Sequence, residues 1–101
     1  MAIEYESVEG ASKGRGLTLY SLSFCASCRE ASSFLRGLGL AFRYVYVDLL
    51  PGPDRIDLKK ALTPADPKDL MYPILEMNDG RRLYGYKQEV WRERLAGVTA
   101  G

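Results

Sequence analysis

Cys25 and Cys28 are the only cysteines in a chain of 101 residues that contains no histidine. Two thiols separated by two residues support three kinds of chemistry: cycling between dithiol and disulfide, half of a metal site, or a structural staple. Tetrahedral zinc takes four Cys, His or carboxylate ligands, so the ligand count disfavours a zinc site within one chain. An iron–sulfur cluster shared by two chains would restore four thiolates. A static disulfide, or a pair of inert buried thiols, is the structural alternative.

Position separates these readings. Residues 17–21, Leu-Thr-Leu-Tyr-Ser, form a short β-rich run ended by a polar break, as expected of a buried strand. From residue 26 to 38, Ala31, Phe34, Leu35 and Leu38 recur at helical spacing, and Gly39 is a helix stop. Cys25 therefore sits where a strand hands over to a helix. Unpaired backbone N–H groups and the positive end of the helix dipole favour thiolate over thiol at such a place. Cys28 follows by nearly one turn on the same side, within the reach of a disulfide. Arg29 either adds positive charge nearby or points to solvent.

The remaining elements must hold this pair. Residues 42–48 are rich in aromatic and β-branched side chains and predict a second strand. A helix links it to the first, so the two are expected to be parallel, with a right-handed crossover. Pro51-Gly-Pro53 breaks the chain before a short helix over residues 54–62, with Ile56, Leu58 and Leu62 as anchors. Residues 63–67 predict a loop, and 73–77 and 81–84 a hairpin around Asn78-Asp-Gly80. Val90, Trp91 and Leu95 place a closing helix over residues 87–96. Residues 1–16, with Gly10, Gly14 and Gly16, show no sustained period and are expected to form a flexible leader.

Composition narrows the partners. The length suits one domain, and a formal net charge of +1 offers no broad field for nucleic acid or an anionic membrane. No apolar run approaches the roughly 20 residues that span a bilayer. The opening MAIEYESVEG lacks the basic start and apolar middle of a signal peptide, so a cytoplasmic location is expected. In that reducing compartment, a cysteine pair is expected to cycle or bind metal rather than to form a permanent staple.

The order strand, Cys-x-x-Cys at a helix start, helix, strand, helix, then proline at the head of a hairpin resembles the glutaredoxin family. The residues that carry the resemblance are Tyr20-Ser-Leu-Ser-Phe-Cys25-Ala-Ser-Cys28, Val45-Tyr-Val-Asp48, Met71-Tyr-Pro73 and Leu83-Tyr-Gly-Tyr-Lys87, within residues 17–96. It implies an α/β, thioredoxin-like domain over residues 17–101. That domain has a four-stranded mixed sheet flanked by about three helices, in the order β-α-β-α-β-β-α. It also implies a cis Tyr72–Pro73 bond facing the cysteines, with Tyr72 offering backbone groups to an extended substrate or glutathione.

The implied activity is thiol–disulfide exchange on protein disulfides or glutathione mixed disulfides, with Cys25 as nucleophile and Cys28 as resolving thiol. Phe24, Met71, Tyr72, Pro73, Gly85 and Tyr86 are the expected substrate-binding residues, and Tyr20, Phe24, Tyr72 and Tyr86 an apolar rim. A monomer with no metal and no tightly bound cofactor is expected, glutathione entering as a co-substrate. Members that use glutathione usually carry proline and an aromatic residue between the cysteines, a basic residue before them, and Gly-Gly followed by acidic residues after the hairpin. Here those places hold Ala26-Ser27, Leu22 to Phe24, and Gly85-Tyr86-Lys87-Gln88. The last segment is similar to redoxins reduced by thioredoxin reductase, so the donor is either glutathione or a thioredoxin-reductase-type protein. The rival reading is a redox-sensing or cluster-binding protein on the same fold.

Overall fold

The computed structural model describes residues 3–9 and 16–99. Its elements in chain order are β1 (Glu6–Val8), β2 (Thr18–Ser21), α1 (Ala26–Gly37), β3 (Phe42–Tyr46), α2 (Gly52–Leu62), β4 (Ile74–Glu76), β5 (Arg82–Tyr84) and α3 (Gln88–Thr99). Single 3-10 turns at Val47–Leu49 and Pro67–Asp69 flank α2.

Every residue of β2 is buried, as a strand covered on both faces requires. It lies at the centre of a mixed sheet ordered β1-β3-β2-β4-β5. Its pairing with β3 is parallel, Leu19 opposite Tyr44, and its pairing with β4 is antiparallel, Leu19 opposite Leu75. Alternation along the strands then sorts two cores. Leu19, Phe42, Leu75 and Met77 pack with Ala31 and Leu35 of α1 and Trp91 and Leu95 of α3. Tyr20, Val45, Val47 and Ile74 pack with Leu58 and Leu62 of α2. Burying a side chain of this size contributes about 1.5–3 kcal/mol relative to leaving it exposed.

The sheet has five strands rather than the expected four. The addition, β1, lies within the segment expected to be a leader and pairs antiparallel with the outer side of β3, Glu6 opposite Tyr44 and Val8 opposite Phe42. Three residues are too few to show a period, and the pairing is supplied by the open edge of β3. The Arg43 guanidinium covers the Tyr5 ring at 4.1 Å, which closes this edge further. The rest of the expected leader, residues 1–2 and 10–15, lies outside the described residues.

One other boundary moves for a local reason. Helix α2 begins at Gly52 instead of residue 54, because Pro53 falls in the first turn, where no backbone donor is needed. Within it, Leu58 and Leu62 are buried but Ile56 is 53% exposed, so the anchor expected there points outward. Helix α1 stops where Gly39 allows: the backbone turns to φ 72° and its N–H donates to the Arg36 carbonyl at 3.0 Å. At the hairpin, Gly80 takes φ 90° and the Met77 N–H donates to the Arg81 carbonyl at 2.8 Å.

Candidate active site

The Cys25 backbone is extended, φ −107° and ψ 114°, and caps the N-terminus of α1. Its Sγ accepts the Cys28 N–H at 3.1 Å, the role a serine or aspartate side chain plays at other helix starts. No acidic residue stands in the first turn. Cys25 is partly exposed, whereas Cys28 is 2% exposed, and both are free thiols.

The Cys28 Sγ accepts the Leu22 N–H at 3.5 Å. Burial, with the neighbouring Cys25 thiol, pushes the Cys28 thiol up to about 12, and the Leu22 N–H and Ser21 hydroxyl offset only part of this. One sulfur therefore meets solvent while the other waits behind it, protonated.

This has a measurable consequence for stability. Between about pH 9 and 12 an unfolded chain has lost the Cys28 proton and the folded chain has kept it, so the reduced protein loses stability as pH rises through that window. Tyr20 and Tyr72 are also raised by burial, and that burial adds a slope of the same sign to the reduced and oxidised forms. Urea unfolding of both forms is expected to show the disulfide's stability advantage widening with pH above about 9. A constant difference would contradict the buried-thiol assignment.

The Tyr72–Pro73 bond is cis, and Pro73 is fully buried. Tyr72 is half-buried, and burial, with Cys28 nearby, raises its hydroxyl. Gly85 fastens this segment: its N–H donates to the Pro73 carbonyl at 2.9 Å and the Met71 carbonyl at 3.1 Å. Gly85 itself has φ 77°, and an added Cβ would lie 2.7 Å from the Met71 Sδ. The thioether can swing aside, but the left-handed backbone cannot be relieved. Gly85→Ala is expected to cost about 1–2 kcal/mol, read from denaturant unfolding.

The expected rim is only partly assembled as foreseen. Phe24 is 75% exposed beside Cys25, and Met71 is 58% exposed. Tyr86 packs on Phe34, with ring centroids 5.7 Å apart, and edge-on against Trp91 at 5.1 Å. It lines a shallow groove with Ala26, Glu30, Ser33 and Gln88. Arg29 is exposed and borders this groove as well as a second cleft behind Cys28. Tyr20 does not belong to the rim: strand alternation turns it toward α2, where it is 5% exposed and donates its hydroxyl to Glu76 at 3.3 Å. Tyr46 is 38% exposed on β3.

One site residue is absent from those expected. Asp48, just beyond β3, accepts the Ser23 N–H through Oδ1 at 2.8 Å and the Ser23 hydroxyl through Oδ2. Burial alone would raise this carboxyl, but the two Ser23 donors hold it below its usual value. An acidic residue closing a strand is a weak signal, because its partner lies 25 positions away.

No cluster of three or more His, Cys, Asp or Glu that could hold a metal ion converges among the described residues. No described helix is long and apolar enough to cross a membrane.

No protein-family model matches the chain, nor does any curated protein. Solved structures do. A glutaredoxin from Methanosarcina mazei is 30% identical, with a TM-score of 0.78, over 90% of this chain and 86% of that one. Methanoredoxin from Methanosarcina acetivorans is also 30% identical, with a TM-score of 0.74, over 85% of this chain and 88% of that one. A buckwheat glutaredoxin solved as a glutathione complex shares the fold at 16% identity and a TM-score of 0.64, over 83% of this chain and 73% of that one. With the cysteine pair at the head of α1, the cis-proline segment beside it and these relatives over nearly its whole length, the chain belongs to the glutaredoxin family of the thioredoxin-like fold.

Proposed function

We propose that the chain is a dithiol oxidoreductase that reduces protein disulfides or glutathione mixed disulfides. The observation that carries this reading is the contrast between its two sulfurs: Cys25 partly exposed at a helix start, Cys28 buried one turn behind it as a thiol. Cys25 attacks one sulfur of the substrate disulfide, forming a mixed disulfide and releasing the other half as a thiolate. Cys28 gives its proton to water and attacks the Cys25 sulfur as the thiolate. The Cys25–Cys28 disulfide forms, the second substrate thiolate departs, and two electrons have passed from protein to substrate.

Phe24, Met71 and Tyr86 supply the apolar contact surface, and the Tyr72 backbone lies along an extended substrate. The cycle needs a reductant but no tightly bound cofactor. Glutathione is one donor and a thioredoxin-reductase-type protein the other. Gly85-Tyr86-Lys87-Gln88 favours the second, since lysine and glutamine stand where members that use glutathione carry acidic residues. The protein works as a cytoplasmic monomer.

The test is turnover of one disulfide substrate with glutathione and glutathione reductase against thioredoxin reductase and its nicotinamide donor. Faster turnover with thioredoxin reductase supports the donor assignment. Turnover with glutathione alone reverses it, and turnover with neither removes the enzyme reading.

A further inference from the structure

We infer that Asp48 is a positioning residue for the cysteine pair, one that sets its redox equilibrium through the loop before Cys25. The inference rests on the dithiol reading above.

The segment Leu22-Ser23-Phe24 joins the end of β2 to the cap of α1, and it is largely without secondary structure. Asp48 grips it from the 3-10 turn that follows β3. Both of its carboxylate oxygens are used, one by the Ser23 N–H and one by the Ser23 hydroxyl. A carboxylate accepting two donors from one residue fixes that residue's backbone as well as its side chain. Neither group is deeply buried, so the contact does little for the core.

Its position matters more. Ser23 is two residues before Cys25 and directly follows Leu22, whose N–H donates to the Cys28 Sγ. The clamp therefore holds one end of the loop that presents Cys25 and that brings a donor to Cys28. Both contacts exist here with the two thiols free. In the oxidised form, the Cys25–Cys28 bond itself restrains this segment. Loss of the clamp is thus felt mainly by the dithiol, and the equilibrium shifts toward the disulfide.

The experiment equilibrates wild type, Ser23→Ala, Asp48→Asn and Asp48→Ala with graded dithiothreitol mixtures and quantifies dithiol and disulfide by thiol trapping. No substrate or reductase is needed. Asp48→Ala is expected to favour the disulfide about tenfold, the size of losing a charge-assisted hydrogen bond. That is a shift of about 30 mV to more negative potential. Asp48→Asn and Ser23→Ala, which each leave one acceptor–donor pair, are expected to fall between.

Ser23→Ala combined with Asp48→Ala is expected to add nothing to Asp48→Ala alone. A melting temperature reports only structural loss; the potential reports the cysteines. Midpoints within twofold of wild type in Asp48→Asn and Ser23→Ala would overturn the inference even if Asp48→Ala failed to fold, as would additive effects in the double variant. A wild-type chain that forms no Cys25–Cys28 disulfide would overturn the dithiol reading, and the inference with it.

Discussion

Cys25→Ser is expected to abolish disulfide reduction, a loss of at least about 1,000-fold in turnover, without loosening the fold. A serine hydroxyl is not ionised near neutrality and does not displace a thiolate from a disulfide. Cys28 is a poor substitute, because it is 2% exposed and its thiol is pushed up to about 12. Near pH 7 such a group is almost entirely the protonated thiol. The fold survives because position 25 caps α1 and serine is among the preferred N-cap residues. Steady-state turnover together with urea unfolding checks both halves. An unchanged unfolding midpoint with activity lost is the expected pair of results.

The second large effect is structural. Trp91 is 1% exposed, packs edge-on against Tyr86 with ring centroids 5.1 Å apart, and donates its Nε1–H to the Gly85 carbonyl at 3.0 Å. Trp91→Ala opens a cavity between α3 and the sheet and leaves that carbonyl without its donor. The expected cost is about 3–5 kcal/mol. Domains of this size hold about 5–15 kcal/mol in all, so the variant should populate unfolded chains at physiological temperature. Trp91→Phe keeps most of the volume and loses the donor, and about 1–3 kcal/mol is expected for it. Equilibrium unfolding of the two variants separates packing from hydrogen bonding, and both should disturb the Gly85–Tyr86 side of the active site.

What could be read in advance follows the range of the forces involved. The strand-to-helix handover at Cys25, the stop at Gly39 and the turn at Gly80 depend on neighbours within a few positions, and the structure has each of them where the residues place it. Trp91 and Leu95 lie on the buried face of α3 as their spacing requires, although Val90 between the turns is 40% exposed. The two-sided packing of β2 agrees with its short β-rich run, although its two end residues, Thr18 and Ser21, are polar and buried.

Most of the misread features depend on distant partners. The strand at Glu6–Val8 exists because β3 leaves an edge open, and Tyr20 is buried because the sheet's alternation meets α2 on that face. The Ser23–Asp48 clamp spans 25 positions and leaves no periodic trace. Pro53 was ambiguous for a different reason: a proline in a helix's first turn looks the same in sequence as one that breaks the chain.

The central claim, attack by Cys25 and resolution by Cys28, is tested most directly by trapping the intermediate. Cys28→Ser is incubated with glutathione disulfide and its intact mass and the modified residue are determined, beside wild type treated in the same way. The account predicts one glutathione adduct on Cys25 that persists in the variant, while wild type passes through it and ends as the Cys25–Cys28 disulfide. An adduct that persists equally in wild type, or a Cys25 that takes none, would contradict it.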